Sequence, residues 1–307
     1  FLDIFKGVWK KTTFYCIIFI GFNNGRCNAM QNFNYHSHTY RCGHADLDMK
    51  DEDYIKEYIK LGIKKMAFTD HSPLILDKRP NIRMDYSEKD EYLNSINKLK
   101  QKYNNKIEIE TGFEVEYLPG EEKNLLILKS ETDKIILGQH FIYDDDKNLK
   151  TFRNNNFSDS ELIKYAQYID KALELGIPDI IAHPDLFLKN SKTFNQMESE
   201  ISHMICKSAE KYDIPLEINL SDVFEKIFYR DRKFNDLSIS EARKEINNVR
   251  YPNANFWKVA SNYNVKVLYG IDAHHKGQIM LFDKLIQLSN EIIGNDIIKK
   301  LQFINEL

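Results

Sequence analysis

From residue 30 onward, short apolar runs alternate with longer stretches in which apolar residues recur at helical spacing. The short runs, bounded by glycine or polar residues, read as buried strands, and the longer stretches as amphipathic helices. A first strand carries Tyr35-His36-Ser37-His38. The spacing then predicts a helix over 46–62, with Leu47, Tyr54, Ile55, Tyr58, Ile59 and Leu61 on its stripe and Gly62 closing it. Further strands are expected at 63–68, 106–110, 134–137, 179–182, 215–219 and 266–269. Helices are expected at 87–103, with Ser87 as N-cap, and at 121–131, 159–175, 195–212 and 255–262. Residues 74–86 and 144–156 read as loops, 221–252 as a polar surface excursion, and 282–307 as C-terminal helices. About seven strand–helix units in this order predict a parallel α/β barrel, irregular rather than eightfold, with its chemistry at the C-terminal ends of the strands.

Composition narrows the class. A chain of 307 residues, 42% hydrophobic and 29% charged, suits a large globular domain with a sizeable core. A formal charge of −3 offers no electrostatic ground for a nucleic-acid or anionic-membrane partner, and neither is expected. Cys16, Cys27, Cys42 and Cys206 form no CxxC pair, which argues against a structural zinc site or a disulfide framework and for a cytoplasmic location. Cys42 reads as a small buried residue. Residues 1–29 differ from the rest: Lys10-Lys11 precede an apolar run over 13–22 that resembles a signal-peptide core and falls short of the roughly 20 residues a bilayer requires. The expected organisation is an upstream, appended or signal-like segment over 1–29 and one domain over 30–307, with Met30 at or near the natural start.

What sits at the strand ends changes the picture further. His36, His38, His44, His71, Glu114, His140, His183, Asp272 and His274 all fall there, and they include seven of the nine histidines. A lone histidine is usually structural. Seven gathered at one end of a parallel sheet point instead to divalent metal, and imidazole mixed with carboxylate suits Zn, Fe or Mn better than Mg or Ca.

The motifs His36-Ser37-His38 with His44, Asp70-His71, Gly112-Phe113-Glu114, His140, His183-Pro184-Asp185 and Asp272-Ala273-His274 resemble, in order, those of the polymerase and histidinol phosphatase (PHP) superfamily. They span nearly all of residues 33–275. The stretches Phe68-Thr69-Asp70-His71-Ser72-Pro73, Gly112-Phe113-Glu114-Val115-Glu116-Tyr117, Ile181-Ala182-His183-Pro184-Asp185 and Leu216-Glu217-Ile218-Asn219 are most similar to the stand-alone histidinol-phosphatase type. The resemblance implies a distorted TIM-like (β/α)7 barrel and three divalent transition-metal ions. One ion would take His36, His38, Glu114 and Asp272; a second would share Glu114 and add His140 and His183; a third would take His44, His71 and His274. It also implies hydrolysis of L-histidinol phosphate to L-histidinol and phosphate in histidine biosynthesis, by attack of a metal-bridging hydroxide. The alternative is a PHP phosphoesterase acting on nucleotides, oligonucleotide ends or other small phosphate esters.

The remaining roles do not follow from spacing, and the candidates for them rest on residue chemistry. A phosphate dianion calls for an arginine, with Arg153 the first choice and Arg41, Arg230 and Arg250 behind it. Asp70, Asp185 or a metal-bound water could protonate the leaving group, and Glu116 or Asp222 could hold the substrate amine. Glu217 and Asn219 either orient ligands or serve as ordinary strand-end hydrogen bonders.

Overall fold

The computed structural model describes residues 31–76, 82–153, 156–229 and 237–307. The expected segment over 1–29, Cys16, Cys27 and Arg230 lie outside them. Among the described residues, eight parallel strands form one sheet in the order β1 (Phe33–Asn34), β2 (Lys65–His71), β3 (Glu108–Val115), β4 (Lys134–Leu137), β7 (Ile180–Ile181), β8 (Leu216–Asn219), β9 (Lys266–Gly270) and β10 (Gln302–Phe303). β5 (Phe141–Tyr143) and β6 (Leu149–Thr151) form a separate antiparallel hairpin. From Met66 to His71 every residue of β2 is buried, as befits a parallel strand covered on both faces.

Helices cover the outer face. In α4 (Asp159–Glu174), Leu162, Tyr165, Ala166, Ile169, Ala172 and Leu173 are buried at helical spacing, and the helix packs on α5 (Gln196–Tyr212). Each large apolar side chain so buried contributes about 1.5–3 kcal/mol. Both helices start with capping boxes: Ser158 Oγ accepts from Glu161 N at 3.3 Å, and Asn195 Oδ1 from Glu198 N at 2.9 Å.

The segment around β1 is tied to β9 and the turn after it by side chains as well as backbone. The Gln31 amide donates to Tyr269 O at 2.7 Å and accepts from Tyr269 N at 2.9 Å, standing in for a strand partner. Asn34 Oδ1 accepts from Ile271 N at 2.9 Å. Ser37 and Ala273 form a parallel bridge in which His38 N donates to Ala273 O at 2.9 Å.

Several expected boundaries move. The helix expected over 46–62 is α1 (Asp51–Leu61), because Asp46 is held in a loop: its N–H donates to His274 O at 2.9 Å and its carboxylate takes His275 Nδ1 at 2.6 Å. Ser87 does not cap α2 (Lys89–Tyr103) directly; a 3-10 turn precedes it, capped by Asp85, whose Oδ1 accepts from Ser87 N at 2.9 Å. β2 and β3 run further than expected, because Asp70 and His71 pair with Phe113 and Glu114 within the ladder. The loop expected over 144–156 contains half of the β5–β6 hairpin.

The excursion over 221–252 is not merely surface. It begins with α6 (Ser221–Ile227), which buries Val223 and Phe224, and ends at buried Tyr251. At the C-terminus, α10 (Phe282–Ile293) stops at Gly294, whose φ of +99° a side chain would resist, and β10 adds to the sheet where only helix was expected. Among the described residues no helix is long and apolar enough to cross a membrane.

Candidate metal centre

Glu114, 1% exposed near the end of β3, is the hub of the site. One carboxylate oxygen, Oε2, lies 3.6 Å from His36 Nε2, 3.4 Å from His38 Nε2 and 3.0 Å from His71 Nδ1. The other, Oε1, lies 2.9 Å from His183 Nε2 and 3.6 Å from His140 Nε2. Asp272 Oδ1 completes the first group, 3.4 Å from His36 Nε2 and 3.1 Å from His38 Nε2. Burial disfavours the Glu114 anion, but the imidazoles of His71, His140 and His36 outweigh it and hold the carboxyl well below its usual range.

A second group stands beside the hub. His44, His71 and His274 present ring nitrogens within 4.8 Å of one another. His44 Nδ1 bonds Cys42 O at 2.9 Å and His274 Nδ1 bonds Asp272 O at 3.0 Å, which places those protons on Nδ1 and leaves lone pairs on Nε2. The buried Nε2 atoms of His44, His71 and His274 have no hydrogen-bond partner. Burial, then the positive charge of His38 and Arg153, lowers His44 to about 4, and burial lowers His71 to about 3, so both favour the neutral form that binds metal. Unpaired buried imidazole lone pairs aimed at one another are costly unless a cation lies among them, and this donor set fits a divalent transition metal.

The residues behind the ligands explain how the chain holds them. Glu217 Oε1 takes His36 Nδ1 at 2.8 Å, while its Oε2 accepts from His183 N at 3.1 Å and from Asn219 Nδ2 at 2.9 Å. Carboxylate behind imidazole fixes ring orientation and raises ligand basicity. Adjacent strands leave room for these acids only through glycine: a Cβ on Gly138 would collide with the Glu114 carboxylate, and one on Gly270 with that of Glu217. His183 and Asp272 themselves have φ of +33° and +51°, strain of roughly 1–3 kcal/mol each that the surrounding contacts sustain.

All nine expected ligands are thus gathered in one cluster, whereas several other expected site residues face elsewhere. Asp70, fully buried, accepts from Thr39 N at 3.2 Å and His71 N at 3.0 Å and lies 3.5 Å from His38 Nδ1, so it braces the His38 ring instead of reaching a leaving group. Asp185, pushed up to about 6 by burial, accepts from Asn253 N at 2.7 Å and Trp257 Nε1 at 3.2 Å. It anchors the segment that carries Tyr251. Glu116 takes His140 Nδ1 at 2.9 Å with one oxygen and Arg83 Nη1 at 2.8 Å with the other, and cannot also meet a substrate amine. Asp222 is buried with an oxygen on Arg250 N at 2.7 Å. Arg41 is buried against Asp51, at 3.0 Å, and Glu91, at 3.0 Å.

Arg153 does line the cavity above the cluster, a space of about 570 Å³. Sequence reasoning missed Lys189, Glu225, Lys226, Tyr251 and His275 there, and ranked Arg250 low. They come from short helices and connections whose sequence carries no motif. Glu225 alone had a usable signal, lying one helical turn past Ser221 after a strand end.

Known proteins resemble this chain in sequence and in fold. The model of the PHP domain matches residues 34–221, more than half of the chain. A histidinol-phosphatase of Bacillus subtilis is 24% identical over 279 residues, covering 81% of this chain and 96% of that protein. The crystal structure of a candidate histidinol phosphatase from Listeria monocytogenes matches with a TM-score of 0.64 at 20% identity, over 80% of this chain and 97% of that one. A histidinol phosphate phosphatase from Lactococcus lactis, solved with zinc, L-histidinol and phosphate, matches with a TM-score of 0.57 at 17% identity, over 85% of this chain and 94% of that one. The fold is shared with these structures, and by its match along residues 34–221 the chain belongs to the PHP domain family.

Proposed function

We propose that the chain is a metal-dependent phosphomonoesterase that releases phosphate from L-histidinol phosphate. The observation that carries this reading is the division of Glu114, with His36 and His38 at one oxygen and His140 and His183 at the other, beside the unpaired triad of His44, His71 and His274. The likeness to a histidinol-phosphatase over nearly its whole length supports the substrate. Three ions, zinc, iron or manganese, would be held by His36, His38, Glu114 and Asp272, by Glu114, His140 and His183, and by His44, His71 and His274. When bound, such ions supply Lewis acidity toward phosphoryl oxygens and a hydroxide nucleophile near neutral pH.

The chain's own residues do the rest. Arg153, Lys189 and Arg250 at the mouth draw in the phosphate dianion and offset charge on its oxygens. Glu217, Glu116 and Asp70 keep His36, His140 and His38 in fixed orientations. We also read the sheet as a closed, distorted (β/α)7 barrel with β10 added at its base; the Ser37–Ala273 bridge between the first strand segment and the turn after β9 supports closure.

A second reading, a substrate with a further anionic group such as a nucleotide, is favoured by the four cations Arg153, Lys189, Lys226 and Arg250. Phosphate release from histidinol phosphate, a nucleoside monophosphate and a phosphorylated oligonucleotide, measured on one metal-replete preparation, separates the two. The highest kcat/KM is expected for histidinol phosphate, and a stronger preference for another substrate overturns the first reading.

A further inference from the structure

Histidinol phosphate carries a primary ammonium as well as a phosphate; of the carboxylates that sequence offered for it, Glu116 is held by His140 and Arg83 and Asp222 is buried with one oxygen on Arg250 N, and neither lines the cavity. Two carboxylates do line it. Asp272 faces His36, His38 and Asn219. The other is Glu225, exposed on α6 one turn beyond Ser221, which also lines the cavity. Among the described residues no hydrogen bond or ion pair engages the Glu225 side chain. Lys189, which also lines the cavity, has its ammonium 5.1 Å from the Tyr251 ring centroid; burial lowers its pKa, and the charges of Asp222 and then Glu225 oppose that shift.

A carboxylate at this place has a sign that depends on the ligand. Beside Arg153, Lys189, Lys226 and Arg250 it weakens the attraction for a plain phosphate ester. For a phosphate ester that also carries an ammonium it supplies the missing counter-charge. Resting on the reading of this centre as a phosphomonoesterase, we propose that Glu225 is the residue that selects substrates bearing a primary ammonium. Glu225 acts on binding of the substrate's ammonium and takes no part in the metal cluster.

The test compares L-histidinol phosphate with its deaminated analogue, 3-(imidazol-4-yl)propyl phosphate, on the metal-loaded full chain. The wild-type protein should prefer the amine-bearing ester. Glu225→Gln should lower kcat/KM for histidinol phosphate about tenfold, mainly through KM, the scale of one partly solvated charge-assisted hydrogen bond. The same variant should leave the analogue unchanged or improve it, with metal content intact. Glu225→Asp, which keeps the charge, should recover part of the preference. Equal losses on both esters, or a wild-type enzyme that hydrolyses both without preference, overturn the assignment while leaving the phosphatase reading standing. Hydrolysis of neither ester overturns both.

Discussion

The floor and the mouth of the cavity are built on opposite principles. On the floor, Glu114, Glu116, Glu217, Asp70 and the imidazoles other than that of the partly buried His44 are almost wholly buried, and nearly every carboxylate oxygen meets a ring nitrogen or backbone N–H. At the mouth, Arg153, Lys226 and Glu225 reach into the cavity without carboxylate or cation partners among the described residues. The floor is preorganised by low-dielectric pairing, so a displaced atom is costly; the mouth is more open to solvent, so its charges are screened. The difference teaches that chemistry and specificity are held separately here. On the proposed function, metal binding would depend on strand geometry, and substrate choice on a few side chains that could change without disturbing it.

Four substitutions test that separation, in order of expected effect. Glu114→Gln removes the shared anion of the floor and should abolish metal loading together with turnover, by more than about 10³-fold, the range lost when charge-stabilising groups are removed; elemental analysis beside a phosphate-release assay reads both. Gly138→Ala should displace the Glu114 carboxylate without altering any ligand, and a misplacement of about 1 Å costs roughly 10² in rate. A fully active Gly138→Ala protein would mean that the floor yields more easily than its packing implies. Glu217→Gln keeps the shape of the brace behind His36 but removes its charge, and metal affinity, measured by competition with a chelator, should weaken about 10–100-fold. Arg153→Ala belongs to the mouth: KM should rise about tenfold with metal content unchanged. Loss of metal from that last variant would show that floor and mouth are coupled.

Particular residues show why one region was easier to read than the other. His36 and His38, expected on the first strand, lie just past β1 on either side of the Ser37–Ala273 bridge, where extended backbone still brings their Nε2 atoms within 3.2 Å, and His71 and Glu114 are register partners on neighbouring strands. Such relations follow from local periodicity and from the tendency of functional residues to sit at parallel strand ends. The same local rule misled at Glu116, which shares the alternation of Glu114 but lies just past the end of β3 and turns behind His140 toward Arg83. Asp222 and Glu225 lie on one short helix; the first is buried and the second open to the cavity, a difference set by how α6 packs through Val223 and Phe224.

By itself the sequence determined the alternation of strands and helices and the strand ends where the expected ligands lie. These depend on backbone periodicity. Tertiary structure alone decided which oxygen of Glu114 meets which imidazole, that Asp70 and Glu116 lie behind rings of the cluster, and that Ser221, Glu225, Lys226, Arg250 and Tyr251 line the mouth. Those outcomes depend on distances between residues far apart in the chain, such as Glu217 and His36, which are set only when the whole core packs.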